Sequence, residues 1–169
     1  MQELVEGTLT FTFPDPLKAQ QYDDWSFYRN QFNSAFGGTK AVDFICLDQQ
    51  CTWLIEVKDY RAHQRTKPSE LGDEVAAKVR DTLAGLVAAS CNANDLDERR
   101  FAEKAVKSKR LRVVLHIEQP QRPSKLRPQV VNPTDLVMKM KQLLRAVDAH
   151  PLVVSQHNLK PYMRWHVKG

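Results

Sequence analysis

Hydrophobic and polar positions alternate over residues 4–13, where Leu9, Phe11 and Phe13 interleave with Thr8, Thr10 and Thr12. That period of two predicts a strand, which Pro14 and Pro16 terminate. Over residues 17–36 the period lengthens. Tyr22, Trp25, Arg29, Phe32 and Phe36 recur at steps of three and four, which predicts a helix with an aromatic stripe that Gly37-Gly38 ends. Two strands, 41–48 and 51–59, follow on either side of Gln49-Gln50 and read as a hairpin. After the polar stretch 60–69, Leu71, Val75, Val79, Leu83 and Leu86 keep helical spacing over residues 70–91, and Asn92-Ala93-Asn94 stops that helix. A charged segment, 95–107, reads as a short exposed helix, and 111–117 is the most apolar strand of the chain. Four prolines between 120 and 133 make an irregular loop. A last helix, 134–149, is expected to start at a Thr134 cap, and a strand at 152–154 and an extended tail close the chain.

Strands interleaved with amphipathic helices predict an α/β fold, a mixed central β-sheet flanked by helices. The hairpin excludes a wholly parallel sheet. At 169 residues and 19.4 kDa, the chain is expected to form a single domain, 1–169. A content of 42% hydrophobic and 27% charged residues excludes a disordered chain. No run approaches the roughly 18 apolar residues of a membrane span, and the first residues lack the basic and apolar regions of a signal peptide. A cytoplasmic location and no membrane partner are therefore expected. Cys46, Cys51 and Cys91 show no Cys-x-x-Cys spacing and read as reduced thiols. The net charge of +5 allows a nucleic-acid partner without requiring one.

Chemistry concentrates in the hairpin. A symmetric turn that opposes Asp48 to Cys51 also opposes Asp43 to Glu56. Directly opposed residues have Cβ atoms about 4.5–5.5 Å apart, so two carboxylates would sit side by side among Ile45, Leu47 and Leu54. Lys58 projects from the same face as Glu56, whereas Trp53, Ile55 and Val57 project from the other. A hard divalent cation shared by both acids would offset their repulsion, and Lys58 would position water or stabilise charge on a phosphate. On the alternative reading, Glu56 and Lys58 are half-exposed ladder residues and Asp43 caps or faces solvent.

Asp43, twelve intervening residues and then Glu56-Val57-Lys58 resemble the Asp and Glu-x-Lys signature of the PD-(D/E)xK nuclease superfamily, which has the restriction-endonuclease-like fold. The resemblance extends over the element order of residues 17–117, although Val42 stands where that family commonly has Pro. It implies that Asp43 and Glu56 hold Mg²⁺ or Mn²⁺ with the backbone carbonyl of Val57, and that Lys58 serves the hydrolytic water. By the same resemblance, an acid on the first helix and a basic residue on the second would assist, for which Asp24 and Lys78 are the candidates. A solvated aspartate and a snorkelling lysine are the bland alternatives.

After the Glu-x-Lys strand, Tyr60, Arg61, Arg65 and Lys67 combine aromatic and basic character, as phosphate contacts or stacking require. Surface loops are also basic without such a role. Two further basic runs, Lys104 to Arg112 and Arg122 to Arg127, suit either a nucleic-acid backbone or solvent. His116, alternating with apolar neighbours, reads as a satisfied core histidine. The chain lacks His-Glu-x-x-His, a Gly-rich phosphate loop and Gly-x-Ser-x-Gly. The expected function is thus a metal-dependent nuclease, an endonuclease-type hydrolase cleaving DNA and less readily RNA, acting as a homodimer or as a subunit of a larger complex. The alternative is a module of the same fold without turnover, which binds nucleic acid or protein.

Overall fold

The first alternating segment is two strands. β1 (Gln2–Glu6) and β2 (Leu9–Phe13) form an antiparallel hairpin with Glu6 opposite Leu9, closed by Gly7 at a φ of +58° and Thr8. The two-residue turn inverts the parity of the alternation, so that Leu4 shares a face with Phe11. The structure, a computed structural model, describes residues 1–63, 65, 70–126, 128–129 and 131–169.

The predicted aromatic helix is not formed. Its first residues make β3 (Lys18–Gln21), and the rest folds as three short turns, Tyr22–Asp24, Tyr28–Phe32 and Ala35–Gly37. Tyr22, Trp25, Phe27 and Phe32 are all buried from these turns. Spacings of three and four are met by successive tight turns as well as by one helix, and Lys18–Gln21 gains a full ladder by pairing with the next strand.

β4 (Phe44–Asp48) and β5 (Cys51–Asp59) form the expected hairpin, running from Asp48 opposite Cys51 to Phe44 opposite Ile55. α1 (Leu71–Asn92) and α2 (Leu96–Val106) then cross over to β6 (Arg110–Glu118), which lies parallel to β5. α2 starts at Asp95, whose carboxylate accepts from the N–H groups of Asp97 and Glu98. α3 (Pro133–Leu144) is capped by Asn132, with Pro133 at the first helical position, so Thr134 donates its N–H to the cap rather than serving as one. β7 (Leu152–Val154) runs parallel to β6, and β8 (His166–Lys168) returns to pair with β2.

The five-stranded sheet therefore has the order β3-β4-β5-β6-β7, antiparallel on one side and parallel on the other, and the smaller sheet has the order β1-β2-β8. The fold is mixed α/β, with a mixed-orientation sheet flanked by helices. The helices cover one face, where Ile45, Leu54, Val113 and Leu115 meet Val75, Val79, Leu86, Phe101 and Met140. Phe44, Trp53, Ile55, Val57 and Val114 fill the other face against Phe11, Phe13, Met163 and Trp165 of the smaller sheet and its approach. Glu56 and Lys58, even-numbered like Leu54, consequently face the helix layer. Among the described residues, no helix is long and apolar enough to cross a membrane.

Candidate functional site

Just before β4 begins, Asp43 extends its ladder. The last paired residues are Phe44 and Ile55, and one step further the Asp43 carboxylate accepts the Val57 N–H at 2.6 Å. The Asp43 carbonyl accepts the Tyr22 N–H at 2.9 Å, extending the β3 side in the same way. Thr82 of α1 fixes the approach, its hydroxyl accepting the Val42 N–H at 3.0 Å. Asp43 is thus held at the start of β4 by Tyr22 and by Val57 of β5, and its neighbour Val42 by Thr82 of α1.

Glu56 is 1% exposed and lies between two lysines. Lys58 and Lys78 each place Nζ 2.6 Å from Glu56 Oε1. Lys78 also lies 3.9 Å from Asp43 Oδ1, and Lys58 lies 3.3 Å from Glu74 Oε1. Arg65 completes the chain, with Nη2 2.9 Å from Glu74 Oε2 and Nη1 donating to the Tyr60 hydroxyl at 3.1 Å. Among the described residues, three carboxylates thus face three cations in one network, the arrangement that makes such burial tolerable.

Electrostatics separates these groups. Burial, reinforced by neighbouring Asp43, pushes the Glu56 carboxyl up to about 7. Burial also raises Asp43, against the opposing effects of Lys78 and the Val57 N–H. Burial lowers Lys58, but the Glu56, Glu74 and Asp43 carboxylates together hold it above its ordinary value. Two acids at the margin, Glu6 and Asp23, are raised chiefly by burial and both feel Lys78.

The structure gathers Asp43, Glu56, Lys58 and Lys78, and Val57 enters through its N–H. Asp24 does not join them, since it is exposed and paired with Arg29. In place of the expected helix, a tight turn carries Asp23 toward Lys78 instead. Arg61 is committed elsewhere: its guanidinium bonds Asp59, the Thr8 hydroxyl and the Gly169 carbonyl, tying the end of β5 to the β1–β2 turn and the C-terminus. Tyr60 and Arg65 brace Glu74, and Lys67 lies outside the described residues. Glu74, missed from the sequence, stands four residues before Lys78 on one helix face, a spacing that could have revealed it. Glu6 could not be found, because its strand was merged with the next. His116 is buried as expected, with Nε2 2.9 Å from Glu118 Oε1.

Two site oxygens lack a close hydrogen-bond partner. Glu56 Oε2 is buried without a hydrogen-bond partner, and Asp43 Oδ1 has the long Lys78 contact. No group of three or more His, Cys, Asp or Glu residues suited to enclosing a metal occurs among the described residues. A pair of carboxylates can still anchor a hard cation that keeps waters or phosphate oxygens in its other positions.

The chain is 33% identical over 158 residues to a cysteine–tRNA ligase of Neisseria meningitidis serogroup A, a match that takes in 76% of this chain. The chain spans 23% of the length of that relative. No family model matches the chain, and no solved structure matches it significantly. This likeness overturns the expectation of a DNA-cleaving nuclease, endonuclease or other hydrolase, since the relative is a tRNA ligase. That relative is an enzyme, but of the ligase type. Asp, Glu and Lys at hairpin spacing do not by themselves report which reaction or which nucleic acid a site serves.

Proposed function

We propose that this chain is an RNA-directed module of tRNA-ligase machinery whose Asp43, Glu56, Lys58 and Lys78 centre holds a phosphate of tRNA together with Mg²⁺. The observation that carries this reading is the convergence of Lys58 and Lys78 on one oxygen of Glu56 while the other is left without a partner. Asp43 and Glu56 would hold the cation, and the two lysines would face the phosphate. When bound, the cation supplies a positive charge that fixes a phosphate oxygen.

The likeness to a cysteine–tRNA ligase supports tRNA as the partner in preference to DNA. A role beside the ligation chemistry, rather than in it, is supported by the absence of a Gly-rich phosphate loop from the sequence and by a sheet that is half antiparallel. We also read the architecture as restriction-endonuclease-like, on the order of antiparallel hairpin, helical crossover and parallel strand. The test is fluorescence anisotropy with labelled tRNA and DNA of matched length, in Mg²⁺ or chelator. Tighter binding of tRNA in Mg²⁺, with that increment lost in Glu56→Gln, is expected. Equal affinity for DNA, or no effect of Mg²⁺ on tRNA binding, would overturn the reading.

A further inference from the structure

At the end of β5 remote from Glu56, the β4–β5 turn borders two cavities of about 600 and about 430 Å³, which share Gln49, Gln50 and Lys109. Both volumes fall within the roughly 300–1,000 Å³ of small-ligand sites. The backbone N–H groups of Lys109 and Arg110 donate to the Gln50 carbonyl at 2.9 and 3.1 Å, which seats the start of β6 against the turn. Lys104 and Lys107 line one cavity, and Arg110 lines the other. These four cations are exposed and have no ion-pair partner among the described residues. The acid in the lining, Asp48, is already paired with Arg164. Massed unpaired cations repel one another, and a polyanion relieves that repulsion while releasing its own counterions.

An aromatic platform stands beside them. Tyr162, 53% exposed, stacks on Trp53 with ring centroids 6.4 Å apart and planes 21° from parallel. The Arg112 guanidinium lies over both rings, 5.5 Å from the Trp53 centroid and 5.9 Å from that of Tyr162. An exposed ring held flat beside cations suits an unstacked base, whose neighbouring phosphates the cations would meet. An acidic protein would use the charges and leave the ring without a role.

We propose that the basic end of the β4–β5 hairpin is a second RNA contact, which takes a single-stranded stretch with phosphates on Lys107, Lys109 and Arg110 and a base on Tyr162. The proposal rests on the RNA reading above but not on the cation centre, from which it is separated by the length of β5. Its test is the salt dependence of binding of a labelled single-stranded oligoribonucleotide and of tRNA, measured in chelator so that the cation centre is silent. The triple variant Lys107→Ala/Lys109→Ala/Arg110→Ala is expected to bind at least about tenfold more weakly, with a salt slope shallower by about 2. Tyr162→Ala is expected to lose roughly tenfold on the single strand with its slope unchanged. Thermal melting of both variants at the wild-type temperature excludes misfolding, since the altered side chains are exposed. Unchanged affinity and slope in the triple variant, while wild type binds RNA, would overturn this contact and leave the proposed function standing. Absence of wild-type RNA binding in both Mg²⁺ and chelator would overturn both. Equal binding of polyglutamate, insensitive to Tyr162→Ala, would assign the surface to an acidic protein and overturn the RNA contact.

Discussion

Lys78 of α1 reaches the sheet to place its ammonium 2.6 Å from Glu56 Oε1, the same oxygen that Lys58 approaches at 2.6 Å along β5. One buried carboxylate thus ties the helix layer to the sheet. Removing a single partner should cost more than removing the whole arrangement. Lys78→Met, which leaves buried Glu56 short of a cation, is expected to lower unfolding stability by about 3 kcal/mol, and adding Glu56→Gln to it is expected to recover much of that loss. Urea denaturation of both single variants, the double variant and wild type gives the coupling, and strict additivity would show that the contact contributes nothing in solution.

Stability should also depend on pH in a direction set by Glu56. Its folded carboxyl is raised from an ordinary 4.5 to about 7, so between these values the folded state keeps a proton that the unfolded chain has released. The native state therefore has its full advantage below about 4.5, loses it as pH rises, and is level above about 7. Asp43, Glu6 and Asp23 are raised as well and act with the same sign. The loss attributable to Glu56 is at most about 3 kcal/mol. Melting temperatures of wild type should fall across this window in metal-free buffer, and those of Glu56→Gln should fall less. A wild-type profile that rises with pH would contradict the assignment.

Asp43 serves structure and site through different oxygens. Its Oδ2 accepts the buried Val57 N–H, so Asp43→Ala should cost about 1–3 kcal/mol by orphaning that donor. Asp43→Asn can keep an accepting oxygen there while removing the charge. It is expected to retain near-wild-type stability and to lose the Mg²⁺-dependent increment of RNA binding. Isothermal titration with Mg²⁺ and chemical denaturation separate the two effects, and equal destabilisation by both substitutions would refute this division.

Much of this centre was legible because a short turn between alternating strands fixes register. Once Gln49-Gln50 was placed at the turn, Asp43 and Glu56 had to meet, and Lys58 had to share the face of Glu56. Lys78 came from the family resemblance, with helical spacing putting it beside the apolar face of α1. Asp24 was misplaced because its direction was inferred from a helix that gave way to a strand and three turns. Arg61 and Arg65 could be seen as basic, but no local pattern announced that their guanidiniums bond Asp59 and Glu74. The choice between DNA and tRNA lay beyond charge pattern altogether, since both present the same phosphate.

The replacement of that helix by turns leads to a further expectation at Gly85. This residue sits in the middle of α1, where the absence of a side chain costs about 1 kcal/mol relative to alanine in an exposed helix. Here a Cβ would overlap the Tyr22 hydroxyl and lie 3.1 Å from the Phe32 ring. Both rings are buried in the core beneath α1, and Tyr22 is fixed by its N–H to the Asp43 carbonyl. Tyr22 cannot retreat without disturbing the backbone that presents Asp43. Gly85→Ala should therefore destabilise by roughly 1–3 kcal/mol despite its better helix propensity. Gly85→Ala combined with Tyr22→Phe, which removes the overlapped hydroxyl, should recover much of that loss. Denaturation midpoints of the single and double variants check the pair, and a Gly85→Ala protein as stable as wild type would show that α1 does not press on the aromatic turns this closely.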